Sequence, residues 1–268
     1  MKALVLEKYK RFAYRDVPEP RLRGPDDVLV RVKAVAICGS DVHGMDGSTG
    51  RRRPPIIMGH EAAGEIVEAG PSVRRFKVGD CVTFDSTEYC GSCWHCRRGE
   101  VNLCDDRRVL GVSCAEYRRD GAFAELVVLP ERILYALPDG LDYVAASLAE
   151  PVGVAVDAAA ITPLGLHDSV AVVGTGLIGL LLIQVLRGAT AGRIIALDTD
   201  PSRREAALRF GADECLDPAS AGALEKLRSL TGGRGADRSF EAVGATAPIR
   251  TAIDATRKGG SVTLIGNA

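Results

Sequence analysis

Residues 169–198 read SVAVVGTGLIGLLLIQVLRGATAGRIIALD, and the order of residue types there decides the second half of the chain. SVAVVG is a short apolar run that reads as a buried strand, LIGLLLIQVLRG has helical length, and RIIALD is a second strand ending in an acid. Between the first strand and the helix, Gly174, Gly176 and Gly179 form G-x-G-x-x-G, and Asp198 follows 19 positions after Gly179. A lone glycine pattern is a weak signal. Set between strand and helix, with an acid closing the next strand, it predicts a dinucleotide site. Gly174 permits the tight turn, Gly176 lets a pyrophosphate approach the backbone, and Gly179 lets helix pack on strand. Free N–H groups at the helix start, around Leu177 and Ile178, would hold the phosphates. Asp198 can accept both ribose hydroxyls and would repel a 2′-phosphate, so NAD is favoured over NADP. Arg203 and Arg204 follow at the next helix start and could soften that preference without replacing the acid.

Downstream the same alternation continues. PSRREAALRFG opens with proline and closes with glycine as a helix should, ECLD is a short strand, and AGALEKLRSLTGG is a helix. ADRSFEAVG is a strand, APIRTAIDATRKGG a helix ending at glycine, and SVTLIGN a last strand. Five alternations predict a parallel sheet covered on both faces. Upstream of about residue 150 the pattern changes to short strands at close spacing: DDVLVRVKAVAIC, GEIVEAG, VGDCVTF and GAFAELVVLP. They predict a compact β-rich barrel or sandwich. The boundary falls in LAEPVGVAVDAAAITP, read as a connecting helix, which gives domains 1–150 and 151–268.

The chain has 268 residues, is 46% hydrophobic, and carries 34 basic against 35 acidic side chains. Near-neutral charge argues against a nucleic-acid partner. The start lacks a signal-peptide pattern and GLIGLLLIQVL is too short to span a bilayer, so no membrane partner and a reducing cytoplasm are expected. The basic run GRRRPP at 50–55 reads as a solvated loop, with a phosphate-binding role for Arg51–Arg53 as the minority alternative.

Four of the eight cysteines, Cys90, Cys93, Cys96 and Cys104, lie in TEYCGSCWHCRRGEVNLC. A disulfide knot is unneeded in a chain that can bury a core. The spacing C-x2-C-x2-C-x7-C favours a tetrahedral zinc whose four sulfurs close the shell. An iron–sulfur cluster stays open, although the fourth gap is long and no proline follows Cys104. A closed shell holds structure, so chemistry is expected elsewhere. AICGSDVHG supplies Cys38, Ser40, Asp41 and His43, and IIMGHEAAGE supplies His60 and Glu61. Cys38 could be a small core residue and His60 a hydrogen-bonded core histidine; together they offer two ligands of a catalytic zinc. Glu150, a carboxylate in an apolar segment, is a costly placement unless paired or metal-bound. His95, His167, Cys81, Cys114 and Cys215 read as ordinary residues.

The fragments CGSDVH, GHEAAGEIVEAG, CGSCWHCRRGEVNLC, GAFAELVVLP, LAEPVGVAV and VVGTGLIGLL, in this order, resemble the zinc-dependent medium-chain alcohol/polyol dehydrogenases over the whole chain. The resemblance implies a chaperonin-10-like (GroES-like) barrel with two zincs, followed by a Rossmann doubly wound parallel sheet. It implies that Cys38 and His60 ligate catalytic zinc, with Glu61 beside it as an exchangeable ligand. Glu150 stands where alcohol dehydrogenases proper carry cysteine, as in the sorbitol and threonine dehydrogenase branch. Asp41 would orient His60 from behind. Zinc would act as a Lewis acid on the substrate hydroxyl while hydride passes to NAD. Ser40 would take the hydroxyl proton and pass it by way of the ribose towards His43. The implied reaction is oxidation of a secondary alcohol, a polyol or sugar alcohol, to a ketone by a homo-oligomer, dimer or tetramer. Alternatives are an L-threonine 3-dehydrogenase, a polyol-phosphate dehydrogenase, and a catalytically silent NAD-binding sensor. The chain stops at SVTLIGNA, where family members continue with a sixth strand and further helices. That predicts a C-terminally truncated fragment, with its sixth strand missing, that keeps zinc but binds NAD weakly.

Overall fold

The computed structural model describes residues 1–114, 116–190 and 192–266. The chain forms two compact units, Met1–Glu150 and Pro151–Ala268.

In the first unit, five antiparallel strands lie in the order Leu134–Ala136, Cys81–Phe84, Glu61–Ala69, Asp27–Ala36, Leu126–Pro130. The alternation in Asp27–Ala36 sends Val28 and Val30 inward to meet Ile66, Val82, Leu129 and Leu134. A second sheet orders Arg11–Asp16, Lys2–Lys8 and Ile56–Ile57. A bridge between Ala3 and Ala124, with the hydrogen bond from Leu4 N to Phe123 O at 2.8 Å, joins the two into the β-rich barrel expected. The register pairs Ala36 with Glu61. One strand therefore ends where its partner begins, which carries Cys38 and His60 to the same rim.

The second unit is a five-stranded parallel sheet ordered Glu214–Leu216, Ile194–Leu197, Val170–Val173, Ala236–Glu241, Thr256–Leu264. In chain order this is 3-2-1-4-5, the doubly wound arrangement with its switch point between Val170–Val173 and Ala236–Glu241. Val170, Val172, Ile194 and Ala196 pack on one face against Leu182, Ile183 and Leu186. Ala171, Val173, Ile195 and Leu197 face the other way, against Leu227 and Ala252. Both faces are covered, which is why these strands read as unbroken apolar runs.

One element differs from its expectation. The helix read over APIRTAIDATRKGG spans Thr246–Ala255 and does not reach the glycines. Thr256 turns extended, donates its hydroxyl to Ala252 O, and pairs with Ala236. Gly259, with φ of +73°, falls where the strand register shifts, so this glycine serves a bulge rather than a helix cap. The last strand, read as SVTLIGN, is Thr256–Leu264; Asn267 lies outside the described residues.

Candidate metal centres and dinucleotide crevice

Cys90, Cys93, Cys96 and Cys104 converge, each offering a sulfur within 4.8 Å of the others. Gly91, at φ of +78°, allows the tight turn after Cys90. That turn aims Ser92 N (3.4 Å) and Cys93 N (3.3 Å) at Cys90 Sγ, and Cys96 N reaches Cys93 Sγ at 3.5 Å. All eight cysteines are free thiols, and Cys90 Sγ and Cys96 Sγ stand 3.9 Å apart, far beyond a disulfide bond. The donors from Ser92 and Cys93 pull the Cys90 thiol down to about 6. Burial, then the neighbouring sulfurs of Cys93, Cys104 and Cys90, push Cys96 up to about 12. Four sulfurs that oppose one another's ionisation fit a cation, and the set is the donor type of structural zinc. His95 is turned away from them: its Nδ1 lies 3.0 Å from Glu100 Oε2.

The second cluster lies at the barrel rim. Cys38 stands immediately before the short helix Gly39–Gly44, and its N–H donates to Asp41 Oδ2 at 3.3 Å. His60 precedes the strand Glu61–Ala69, set by Gly59 at φ of +89°, where an added Cβ would strike the Phe123 ring. Cys38, His60 and Glu61 each place a ligand atom within 4.8 Å of the other two. Burial drives the Cys38 thiol up to about 11. Burial, with Asp41 adding, also raises Glu61. His60 Nδ1 and Glu61 Oε2 are buried with no hydrogen-bond partner. A half-buried thiol beside a buried imidazole and a buried carboxylate, the last two with unsatisfied atoms, fits a bound zinc ion.

Glu150 falls outside that group. It is half-buried at the start of the helix Ala149–Ile161, 3.5 Å from the Ser86 hydroxyl. Burial first, then the Glu61 and Asp85 carboxylates, push it up to about 7. Asp41 Oδ1 stands 3.6 Å from His60 Nδ1, near but short of a hydrogen bond. Ser40 and His43 are both exposed, three residues apart on the same short helix. Of the others, His167 is exposed, Cys81 Sγ lies 3.0 Å from Tyr143 OH, and Cys215 Sγ lies 3.1 Å from Arg204 O. Cys114 Sγ is 3.8 Å from Arg51 O.

Arg52 departs from the solvated-loop reading of the basic run. Arg51 and Arg53 are exposed, but Arg52 is only 3% exposed and pairs with Asp41 at 3.4 Å. Three consecutive arginines give no periodic signal of which one turns inward. The sequence reading assigns Asp41 to His60, so nothing there points to Arg52.

In the second unit the three glycines meet their physical requirements. Gly174 adopts φ of +89°, and a Cβ there would lie 2.3 Å from Val243 Cγ2. A Cβ on Gly179 would sit 1.9 Å from Gly174 O. A Cβ on Gly176 would meet nothing within 4 Å, so this position opens to the crevice. Gly176 precedes the helix Leu177–Ala189, whose first N–H groups, with Leu177 exposed and Ile178 half-buried, face no helical acceptor. Asp198 is buried; its Oδ2 accepts from Thr175 N at 2.8 Å and its Oδ1 from Asp200 N at 2.9 Å. These bonds hold its carboxylate at the crevice lip. Arg203 Nη1 lies 4.0 Å from Asp198 Oδ2, while Arg204 donates to Asp198 O and lies 3.8 Å from Asp217. The residues fit a dinucleotide: glycine backbone for a pyrophosphate, and an acid for a ribose.

Residues 24–139 match the alcohol dehydrogenase GroES-like domain and residues 178–268 the zinc-binding dehydrogenase family. The chain is 36% identical to a sorbitol dehydrogenase of Bacillus subtilis, covering 99% of this chain and 75% of that protein. It is 37% identical to an L-threonine 3-dehydrogenase of Pyrococcus horikoshii, covering 94% and 70% respectively. Among solved structures, an alcohol dehydrogenase from Thermus sp. ATN1 superposes with a TM-score of 0.92 at 34% identity, covering 99% of this chain and 77% of that one.

Proposed function

This chain belongs to the zinc-dependent medium-chain alcohol and polyol dehydrogenases, and we propose that it oxidises the secondary hydroxyl of a polyol or sugar alcohol to a ketone with NAD. The observation that carries this reading is the convergence of Cys38 with the buried His60 and Glu61 and their unsatisfied atoms, in a chain that also holds a dinucleotide crevice. In this reading Cys38, His60 and Glu150 hold the catalytic zinc, with Glu61 beside it. Cys90, Cys93, Cys96 and Cys104 hold a structural one. Domain 1–150 is then the catalytic domain and 151–268 the NAD-binding domain.

Zinc, when bound, supplies Lewis acidity that lowers the pKa of an alcohol hydroxyl, and NAD accepts the hydride. The protein's own groups do the rest. Ser40, exposed at the rim, accepts the substrate hydroxyl proton and donates its own onward, by way of the ribose, towards His43. Asp41 steadies the His60 imidazole from behind. In the crevice, Gly176 leaves the helix start bare for the pyrophosphate and Asp198 takes the adenosine ribose. Eight free thiols support a reducing cytoplasm, and among the described residues no helix is long and apolar enough to cross a membrane.

The test is NADH formation by purified, zinc-loaded protein over a panel of sugar alcohols, simple secondary alcohols and L-threonine. Turnover of polyols above threonine is expected. Threonine preferred over every polyol would move the chain to the amino-alcohol branch. No NADH from any alcohol at full zinc content would refute the reading.

A further inference from the structure

From the burial of Arg52 against the catalytic helix, we infer that Arg52 is a positioning residue for the reaction, bridging Ser40 and Asp41 with one guanidinium nitrogen. This rests on the dehydrogenase reading above. Arg52 Nη2 lies 3.3 Å from Ser40 Oγ and 3.4 Å from Asp41 Oδ1. A guanidinium that is 3% exposed is costly unless paired, and its side-chain partners are these two groups. Its Nε is buried without a partner, so the placement is not one that optimises stability alone.

The surroundings are built to admit it. Gly44, the last residue of the short helix, is buried where a Cβ would meet Arg52 Cγ at 2.6 Å. On the other side the loop is clamped to Ser113, which accepts from Arg53 N and donates to Arg51 O at 3.2 Å. The helix Gly39–Gly44 has six residues, too few to be stable alone. Arg52 pins it through two of its side chains.

The chemical consequence follows from the donor count. A serine hydroxyl has one hydrogen and two lone pairs. Arg52 occupies one lone pair of Ser40. That leaves one lone pair for the substrate hydroxyl proton and one hydrogen to pass onward, which gives the relay a direction. Arg52 also draws on Asp41 Oδ1, the same oxygen that faces His60 Nδ1 at 3.6 Å. Arg52 thereby limits how strongly Asp41 can pull on His60.

The test compares Arg52→Met, Arg52→Lys, Ser40→Ala and the double variant Arg52→Met/Ser40→Ala as zinc-loaded enzymes. Arg52→Met should lower kcat about 10–100-fold with KM held within about threefold. In the Ser40→Ala background the same change should cost less than about threefold, because the group it acts through is gone. Arg52→Lys, which keeps the charge but not the planar fork, should restore part of kcat. The His60 Nδ1 proton, followed by NMR of 15N-histidine-labelled protein, should move downfield in Arg52→Met as Asp41 Oδ1 turns fully to it. Equal losses in both backgrounds, or an unmoved His60 signal, would overturn the inference. Should Arg52→Met not fold, Arg52→Lys with and without Ser40→Ala reads the same non-additivity. Should the Ser40→Ala background be too slow to measure, the His60 signal decides. Failure of the wild type to turn over any alcohol would sink the dehydrogenase reading, and the His60 signal would still report on Arg52.

Discussion

Gly179→Ala tests the packing of the cofactor crevice most directly. The new Cβ would lie 1.9 Å from Gly174 O, so helix and turn must part by about 1.5 Å to reach ordinary contact. Neither side can yield cheaply. Gly174 is held at φ of +89° with Val243 Cγ2 against it, and its N–H is bonded to Leu197 O at 2.8 Å. The helix Leu177–Ala189 is anchored by Leu182, Ile183 and Leu186, all fully buried. Forcing a methyl between two fixed elements costs about 3 kcal/mol, the upper end for overpacking. In a unit the size of Pro151–Ala268 that lowers Tm by roughly 10–15 °C. Moving the helix start also misplaces the N–H groups proposed to hold the pyrophosphate, and NAD affinity should fall at least about tenfold. Gly176→Ala is the control. Its Cβ meets nothing and its φ of −69° suits any residue, so Tm should stay within about 2 °C of wild type while NAD binding is lost. Thermal unfolding without NAD and calorimetric NAD titration read both effects. If Gly179→Ala melted with the wild type, or Gly176→Ala melted as early as Gly179→Ala, the assignment of one glycine to packing and the other to the ligand would be wrong.

Zinc content measured on purified protein should be two per chain in the wild type and one in each of Cys38→Ser and Cys93→Ser, with Cys93→Ser lowering Tm more because it releases a loop built around its metal. A single wild-type zinc lost only with Cys93 would mean that the rim cluster does not hold metal. Asp237→Asn should cost about 1 kcal/mol at neutral pH. Burial opposes the Asp237 charge, but hydrogen bonds from Arg257 and Ser169 outweigh it and pull the carboxyl down to about 2. Its stabilisation is therefore present above the ordinary value of 3.8 and disappears as pH falls through about 2. A pH-independent difference between the two proteins would contradict that linkage.

Much of the fold is legible in the sequence alone. The centre of the sheet could be read because Val170–Val173 and Ile194–Leu197 are buried on both faces and so carry apolar runs bounded by turns. The glycine turn could be read because three separate steric demands fall at fixed spacing. The end of the helix at Ala255 could not, because glycine signals a helix cap and a strand bulge alike, and only the pairing of Thr256 with Ala236 separates them. Arg52 was illegible for a different reason. A loop has no period, so burial of one arginine among three depends on the groove left by Gly44, which is distant from the run in local pattern. Proximity of Glu61 and Glu150 is likewise tertiary, since 89 positions separate them in sequence.

That proximity has a measurable consequence for the metal-free protein. Glu150 is pushed up to about 7 from an ordinary 4.5, by burial and then by Glu61 and Asp85. The folded state penalises its charge by about 3 kcal/mol at most. The sign follows from the order of titration. In the unfolded chain the carboxyl ionises near 4.5; in the folded protein it resists until about 7. The penalty is thus absent below 4.5, grows through that interval, and is complete above it. Glu150→Gln removes the charge and keeps the oxygen that faces Ser86. After chelation, the variant should be more stable than the wild type at about pH 8, by roughly 2–3 kcal/mol, and equal to it at about pH 4. Zinc should reverse the order at high pH, because a cation relieves the repulsion between carboxylates and the glutamine has none to relieve. The wild type therefore gains more from zinc than the variant does. Equal apo stabilities at about pH 8 would mean that Glu150 is solvated rather than strained, and its place among the zinc ligands would lose its physical basis.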